Sequence, residues 1–371
     1  MIDGGTVRRA LFLGVLALSP LRAAETRVHL MFVGDVMGHD AQIASARTAD
    51  GSHDYRHNYL YIKPILDHAD LAVANLEVTL AGEPYKGYPR FSSPDALADA
   101  LEEAGFDLLL TANNHACDRN EEGLLRTLRT LDERNIPHTG TFASPEEREL
   151  TYPRIVDVKG VRLAFLNATY GTNMLKVSTP TSVNYLDEKQ LEADVAKARA
   201  AKADFILAAL HWGVEYERGA HPSQKQLARR LIRLGVDAVI GSHPHVLQEI
   251  VSLKHKKRLR VVFYSHGNFI SNQRDRFRDG GMIGHLELVK DDKGTRPVDW
   301  GYTPTHVWKR QTDDIARFYV LPVSFFEEEP DLFALAPDDR AALGQFADDA
   351  RAHLKGVREY RYRPRLSAAP R

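Results

Sequence analysis

Residues 236–245 read VDAVIGSHPH. The first half, 236–240, is short, apolar and rich in β-branched residues, which predicts a buried strand. A glycine and a serine end this run, and His243 and His245 follow on either side of a proline that stiffens the loop. Two imidazoles at the end of a buried strand are typical of a metal-binding or catalytic pair. The stretch therefore predicts a functional site at a strand end.

The same pattern, an apolar run followed by polar side chains, recurs elsewhere in the chain. Further strands are predicted over residues 28–33, 71–74, 106–110 and 205–210. The polar side chains that follow them and can bind a metal or carry a proton are Asp35, Asn75, Glu77, Asn114, His115, Asp118 and His211. In open α/β sheets, ligands bind outside the carboxyl ends of the strands, so we expect the five strand ends to share one site.

Helical stretches between these strands predict a layered α/β domain. They cover residues 94–104, 121–133, 191–202 and 224–234. Three later apolar runs have no helices between them and are interpreted as additional sheet strands, at 282–289, 302–309 and 317–323. A terminal helix is predicted over 338–353.

The composition is that of a globular protein. Of the 371 residues, 43% are hydrophobic and 27% are charged, which excludes a disordered chain, a collagen-like fibre and a disulfide scaffold. The formal net charge of -1 shows no basic excess, so no nucleic-acid partner is expected. The basic run 254–258 is interpreted as a solvated hairpin loop. The single cysteine, Cys117, is expected to be a small buried side chain.

Residues 1–24 have the segment order of a secretory signal peptide. Arg8 and Arg9 precede the apolar run 10–18, and small residues near Ala24 offer a cleavage site. The run is too short to cross a bilayer, which needs about 20 residues. The alternative is a buried first strand or helix. We predict secretion across the inner membrane to the periplasm or cell envelope and leave the export route open.

The mixture of carboxylate, amide oxygen and imidazole suits Mn, Fe, Zn or Mg rather than metals that prefer thiolates. Two-metal hydrolases need this mixture, because two cations about 3.5–4 Å apart share a carboxylate while a nearby acid protonates the leaving group. Each motif alone has a simpler interpretation: Asp35 in a turn, residues 75–77 as a helix cap, His211 as a core histidine. Their order along the chain, each after a strand, favours a shared site.

Six motifs in this order resemble those of a known family. They are GDVM (34–37), NLE (75–77), ANNHACD (112–118), HWGVEY (211–216), GSHPHVLQ (241–248) and YSHGNF (264–269). Over residues 28–285 the sequence is similar to the CapA, or poly-γ-glutamate capsule biosynthesis, family of the calcineurin-like metallophosphoesterase superfamily. The resemblance implies an α/β fold with four layers, α/β/β/α, in which helices flank two mixed sheets in a metallophosphatase-like sandwich. The predicted organisation is a signal peptide (1–24), a CapA-type domain (25–330) and a C-terminal helix and tail (331–371).

The resemblance also assigns roles to the site residues. The superfamily's metal positions fall on Asp35, Glu77, Asn114, His211, His243 and His245, and the catalytic positions on His115 and Asp118. Met37 stands where the superfamily has a histidine, and a thioether is a poor ligand for a hard cation. One or two divalent ions are therefore expected, in an intact site (Glu77, Asn114, His211, His243) and a thinned one (Asp35, Glu77, His245).

Two further departures from the family lie beside these motifs. His266 stands where the family usually has leucine, and Asn120 where it usually has glycine. The sequence is equally compatible with a polar role for His266 in the cleft and with a position beside it.

Two functions follow from the resemblance, and the sequence leaves both open. One is a metal-dependent hydrolase of phosphoester or amide bonds that acts in the synthesis or export of poly-γ-glutamate or a related capsule polymer. The other is a non-catalytic polymer-binding or assembly component, which the loss of a ligand at Met37 favours. The expected partners are an anionic polymer such as poly-γ-glutamate or a phosphoester substrate, and a membrane synthase from another chain. Candidates to pair with polymer carboxylates are Lys86, Arg90 and Arg218.

Overall fold

The structure is a computed structural model that describes residue 1 and residues 25–311, 315–331 and 335–363. The predicted signal segment, apart from Met1, lies outside the described residues, and so does the tail after residue 363. Within the described ranges, no helix has both the length and the apolar character that crossing a bilayer requires.

The strands of the described ranges follow one another in chain order. They are β1 (Thr26–Val36), β2 (Leu71–Leu76), β3 (Leu108–Leu110), β4 (His138–Thr139), β5 (Thr141–Phe142), β6 (Arg154–Val158), β7 (Val161–Thr169), β8 (Ser182–Val183), β9 (Phe205–His211), β10 (Ala238–Ser242), β11 (Ile250–His255), β12 (Arg258–Phe263), β13 (Asn268–Ile270), β14 (Gly280–Asp291), β15 (Gly294–Gln311), β16 (Ala316–Pro322) and β17 (Arg358–Glu359).

The helices lie between these strands and after them. They are α1 (Asp40–Ala46), α2 (Arg56–Tyr59), α3 (Lys63–Leu66), α4 (Ala96–Ala104), α5 (Asn120–Glu133), α6 (Pro145–Thr151), α7 (Glu188–Ala200), α8 (Pro222–Leu234), α9 (Val323–Glu328) and α10 (Pro337–His353).

The larger sheet has the order β16-β15-β14-β1-β2-β3-β4, with β13 pairing with β1 and β17 with β15. Strands β1 to β4 run parallel, so their carboxyl ends lie at the same edge of the sheet. Strands β14, β15 and β16 extend the sheet in antiparallel fashion. These three are the strands predicted late in the chain, and they join the existing sheet as predicted.

The second sheet has the order β11-β12-β10-β9-β7-β6. Its inner strands β7, β9, β10 and β12 are parallel, and an antiparallel strand closes each edge. β10 contacts β1 of the larger sheet, so the carboxyl ends of parallel strands from both sheets meet. This meeting point is where the polar strand ends were predicted to converge.

The alternation of side chains along β9 shows how the layers stack. Phe205 and Leu207 pack in one core with residues of the larger sheet, whereas Ile206 and Ala208 pack in a second core with residues of α7 and α8. Both faces of this sheet are therefore buried, as expected for a mainly parallel sheet. Helices α1, α2, α9 and α10 pack on the larger sheet. The fold is the predicted four-layer α/β/β/α sandwich.

The predicted elements differ from the structure mainly at their ends. β1 continues to Val36 and β9 ends at His211, so Asp35 and His211 belong to strands rather than to the loops after them. β11 was not predicted, because only one face of this edge strand is apolar and its sequence alternates with polar residues. The basic run 254–258 spans the end of β11, a tight turn and the start of β12, which confirms the predicted hairpin.

Candidate metal centre

The structure brings all eight predicted site residues together where the carboxyl ends of the parallel strands meet. β1 carries Asp35, Glu77 directly follows β2, and β9 ends at His211. The segments after β3 and β10 supply the others, which are Asn114, His115, Asp118, His243 and His245. All eight side chains are buried.

Asp35 is held by three hydrogen bonds. Asn75 Nδ2 donates to its Oδ1 over 2.9 Å, and His245 Nδ1 donates to its Oδ2 over 3.0 Å. The backbone N–H of His243 donates to Oδ1 over 3.3 Å. Burial pushes the pKa of Asp35 upward, but the hydrogen bond from His245 outweighs it, and the pKa lies well below its usual value. Asp35 is therefore an oriented, ionised carboxylate.

Glu77 lies at the centre of the cluster, and no described N–H or O–H group donates a hydrogen bond to either of its carboxylate oxygens. Its Oε1 lies 3.5 Å from His211 Nε2 and 3.8 Å from His245 Nε2. Burial, reinforced by the negative charge of Asp35, raises the pKa of Glu77 well above its usual value. A buried carboxylate without donors is unfavourable unless a cation accompanies it.

The imidazoles of His211 and His243, beside Glu77, are neutral. Burial lowers the pKa of His243 to about 3 and the pKa of His211 well below its usual value. His245 contacts Asp35 through Nδ1, which leaves Nε2 as the ring nitrogen that faces Glu77. His243 Nδ1 has no hydrogen-bond partner among the described residues. Neutral rings with a free nitrogen are the form in which histidine binds metals.

The loop that carries two of these imidazoles is strained. His243 and His245 have φ angles of 98° and 58°, in the left-handed region that residues with a side chain rarely adopt. The preceding Gly241 fixes where the loop starts, because a Cβ at this position would overlap the carbonyl oxygen of Tyr264. Strain of this kind persists where the surroundings over-determine the backbone, and it clusters at functional sites.

The potential ligands form two compact triads that share Glu77. Ligand atoms of Asp35, Glu77 and His211 lie within 4.8 Å of one another, and the same holds for Glu77, His243 and His245. The two sites predicted from the sequence also share Glu77 but group the other ligands differently. They place Asp35 with His245 and His211 with His243. The unpartnered oxygens of Glu77 and the free Nδ1 of His243 make this donor set fit one or two divalent cations.

Beside the triads, His115 and Asp118 form a hydrogen-bonded pair. His115 Nδ1 donates to Asp118 Oδ2 over 2.7 Å, and the backbone N–H of Phe91 donates to the same oxygen over 2.6 Å. The rings of Phe91 and His115 pack in a T-shaped arrangement, with 4.6 Å between their centroids. Both residues of the pair line a cleft of about 670 Å³, together with Asn114, Tyr170 and Glu215.

Comparison with known proteins identifies the family of this chain. Residues 29–273 match the family of bacterial capsule synthesis proteins PGA_cap. The chain belongs to this family. It is 28% identical over 298 residues to the capsule biosynthesis protein CapA of Bacillus anthracis, covering 76% of this chain and 69% of that protein. It is also 28% identical over 282 residues to the PGA biosynthesis protein CapA of Bacillus subtilis (strain 168), covering 72% and 70% of the two chains.

A solved structure with the same fold is the NAD nucleotidase (NadN) of Haemophilus influenzae. It superposes with a TM-score of 0.50 and 14% sequence identity, over 91% of this chain. This chain spans 64% of the length of that protein. This similarity is one of fold. The fold of this PGA_cap protein is the metallophosphatase-like sandwich that its sequence implied.

Three asparagines of the PGA_cap site support the ligands without having been predicted to do so. Asn268 Oδ1 accepts from His245 Nδ1 over 3.1 Å, beside the bond to Asp35. Asn113 Nδ2 donates to the backbone of Leu76 over 2.7 Å, and Asn75 holds Asp35 as described above. All three asparagines lie within the motifs quoted above, and this was the feature of the sequence that could have identified them. Tyr170, whose ring centroid lies 4.5 Å from that of His243, gave no signal.

The three side chains proposed to pair with polymer carboxylates have different surroundings. Arg90 lines the cleft. Lys86 lies 3.4 Å from Asp40 in an exposed ion pair, and Arg218 donates to the backbone of Asp349 over 3.0 Å. Of the three, only Arg90 is among the residues that line the cleft.

The two departures from the family pattern have structural explanations. Asn120 has a φ angle of 56°, a left-handed conformation that glycine adopts freely and asparagine tolerates better than most residues. His266 is fully buried beside the centre, where its Nδ1 donates to the carbonyl oxygen of Gly241 over 2.9 Å and its ring stacks on Phe263. His266 therefore lies beside the cleft and not in it.

His266→Leu, which restores the family's usual residue, should make the protein more resistant to acid. Burial lowers the pKa of His266 to about 4, so the unfolded chain binds the proton first and stability is lost as the pH falls from 6.5 towards 4. The variant lacks this titration, so at pH 4 it should keep about 3 kcal/mol of unfolding free energy that the parent loses between pH 7 and pH 4. The Gly241 carbonyl keeps a donor, the backbone N–H of His266 at 3.1 Å.

Urea unfolding of both proteins at pH 7 and near pH 4 measures this difference. At pH 7 the variant should lie within about 1.5 kcal/mol of the parent, because the swap roughly conserves volume. An equal loss of stability on acidification in both proteins would contradict the prediction.

Proposed function

We propose that this PGA_cap protein is an exported, metal-dependent hydrolase of phosphoester or amide bonds in an anionic capsule polymer, such as poly-γ-glutamate, or in its precursor. The observation that carries the proposal is Glu77, a buried carboxylate without hydrogen-bond donors, placed between imidazoles and a second carboxylate. A site that only bound polymer carboxylates would present cationic donors rather than further carboxylates. Membership of a capsule synthesis family supports the choice of substrate.

In this proposal each group of residues has a separate task. The residues that would hold one or two divalent cations (Mn, Fe, Zn or Mg) are Asp35, Glu77, Asn114, His211, His243 and His245. Such a cation supplies Lewis acidity, which polarises a phosphoryl or carbonyl oxygen and activates water. His115 would protonate the leaving group from Nε2, because Asp118 occupies its Nδ1 and fixes the ring. The cleft in front of His115 would hold the substrate.

A second candidate is a non-catalytic polymer-binding or assembly component. The observation that favours it is Met37, which occupies the position of a superfamily ligand and lies in the main hydrophobic core, 2% exposed. The hydrogen-bonded pair of His115 and Asp118 argues against it, because a binding protein has little use for a proton donor. For either function we propose location in the periplasm or envelope, through the signal pattern of residues 1–24, and a membrane synthase as partner.

The test is the metal content of the purified mature protein, measured by plasma mass spectrometry beside His243→Ala. We expect near-stoichiometric Mn, Fe, Zn or Mg in the parent and little in the variant, because His243 belongs to one of the two triads. The loaded protein is then assayed with bis-p-nitrophenyl phosphate and with γ-glutamyl p-nitroanilide. Absence of bound metal after incubation with each cation would refute the hydrolase and leave the polymer-binding component.

A further inference from the structure

A second cleft, of about 510 Å³, lies next to the one that His115 lines. It is formed by the start of α5 and the segment before Arg90. Its charged lining consists of four arginines against two glutamates: Arg90, Arg119, Arg126 and Arg129, with Glu83 and Glu122. We call it the arginine cleft. A concave surface with this excess of guanidinium groups attracts anions, and guanidinium matches carboxylate geometry.

The arginines of α5 differ in what they already bind. Arg126 makes two hydrogen bonds to Asp95, at 2.7 and 3.0 Å, so its charge is compensated. The guanidinium groups of Arg119 and Arg129 make no hydrogen bond or ion pair with any described residue, and the Nε of Arg119 is buried without a partner. Two guanidinium groups without a direct ion-pair partner among the described residues therefore line the cleft.

The backbone of α5 makes room for the first of these side chains. Arg119 precedes the helix, and a Cβ at Gly123, one turn further along, would overlap the Cβ of Arg119. Along the helix axis Arg119 and Arg126 are separated by about 10 Å, and Arg126 and Arg129 by about 4.5 Å. A single small anion cannot contact both ends of this row, whereas a chain with repeated carboxylates can.

Arg90 connects the arginine cleft to the candidate metal centre. It lines both clefts. Its Nε donates to the carbonyl oxygen of Asp118, and its Nη2 donates to Asn120 Oδ1 over 2.9 Å. Asp118 in turn orients His115. An anionic chain lying along α5 would therefore pass Arg90 directly before it reaches the candidate proton donor.

We propose that the arginine cleft is a binding subsite for the part of a carboxylate-bearing polymer that extends away from the metal centre, with γ-linked polyglutamate as the chemical class. Arg119 and Arg129 contact two carboxylates that lie several units apart on the same polymer chain. Arg90 lies between the arginine cleft and the position of the reacting bond. The inference rests on the proposed function for the position of that bond. Binding of the chain itself requires only the arginines.

The experiment compares two double variants by fluorescence anisotropy with a fluorescein-labelled γ-linked glutamate oligomer. Arg119→Gln with Arg129→Gln removes the two guanidinium groups that have no ion-pair partner among the described residues. Arg229→Gln with Arg233→Gln is the matched control, because both are exposed residues of α8, which packs on the second sheet, and neither forms an ion pair with a described residue. EDTA in the buffer prevents turnover, and melting temperatures confirm that every variant is folded.

We expect the cleft variant to bind roughly three- to tenfold more weakly than the parent, with a shallower dependence on salt, and the control to bind like the parent. Arg119→Lys with Arg129→Lys should give an intermediate affinity, because charge is kept and the planar fork is lost. Equal binding by parent and cleft variant, equal weakening in the control, or no binding by the parent overturns the proposal. If the binding contrast holds while no metal or hydrolysis is found, the proposed function fails and the subsite stands.

Discussion

Glu77→Gln is expected to abolish metal binding while leaving the metal-free protein as stable as the parent or more stable. Both triads depend on the Glu77 carboxylate, and the amide that replaces it cannot bridge two cations. In the metal-free variant, the substitution removes a buried acid to which no described group donates a hydrogen bond. The variant therefore avoids an unfavourable burial and loses no hydrogen bond. At a cation concentration of 1,000 times Kd, the parent should gain about 4 kcal/mol of stability and the variant almost none.

The measurement is the melting temperature with and without Mn²⁺ or Zn²⁺, together with metal content. Glu215→Gln is the matched control, because Glu215 is an exposed glutamate that lines the cleft in front of His115 and belongs to neither triad. The control should keep the shift in melting temperature. A full metal-induced shift in Glu77→Gln would show that the cation lies elsewhere and would remove the observation on which the proposed function depends.

His115→Asn should lower the hydrolytic rate constant by roughly 10²- to 10⁴-fold with metal content unchanged. His115 lies in neither triad, and its Nδ1 is already bound to Asp118 Oδ2. We therefore expect the ring to act as a proton donor and not as a metal ligand. The loss should be larger for a phenyl ester than for a p-nitrophenyl ester, because p-nitrophenolate leaves without needing a proton. Rates for the two esters at saturating metal test this difference.

Two outcomes would contradict this role for His115. A variant that loses its metal as well as its activity would make His115 a ligand. A variant with equal losses for both esters would have a positioning defect instead of a missing proton donor. If the parent shows no turnover but the variant and the parent bind the γ-linked glutamate oligomer equally, the non-catalytic polymer-binding function is the better explanation.

The sequence could predict the convergence of the site because each ligand lies at the carboxyl end of a buried apolar strand or shortly after it. Asp35, His211 and His243 are far apart in the chain. Parallel pairing aligns the ends of β1 and β2 in one sheet and of β9 and β10 in the other, and the contact of β10 with β1 brings the two sets of ends together. Apolar runs and helical periodicity are local signals, and they also located the late strands β14, β15 and β16. The fold class followed from those signals and from the family motifs.

What the sequence could not supply depends on contacts between distant segments. Tyr170 reaches His243 from the end of β7, and Arg119 reaches the edge of the cleft only because Gly123 leaves space for it. The left-handed backbone of His243 and His245 is likewise imposed by neighbours and not by local preference. Nor does spacing alone say which ligands share a cation, since Glu77 is common to every grouping.

The pairing of β1 also has a consequence for how the protein is made. One side of β1 pairs with β2 soon after it in the chain, but the other side pairs with β14, where Phe32 lies opposite Gly284. Until residues 280–291 leave the ribosome, this apolar central strand keeps an open edge, which is a template for pairing with other chains. Chains that stop before β14 should therefore aggregate instead of folding into a shorter domain, and the yield of native protein should depend on how well the nascent chain is shielded until its last strands arrive.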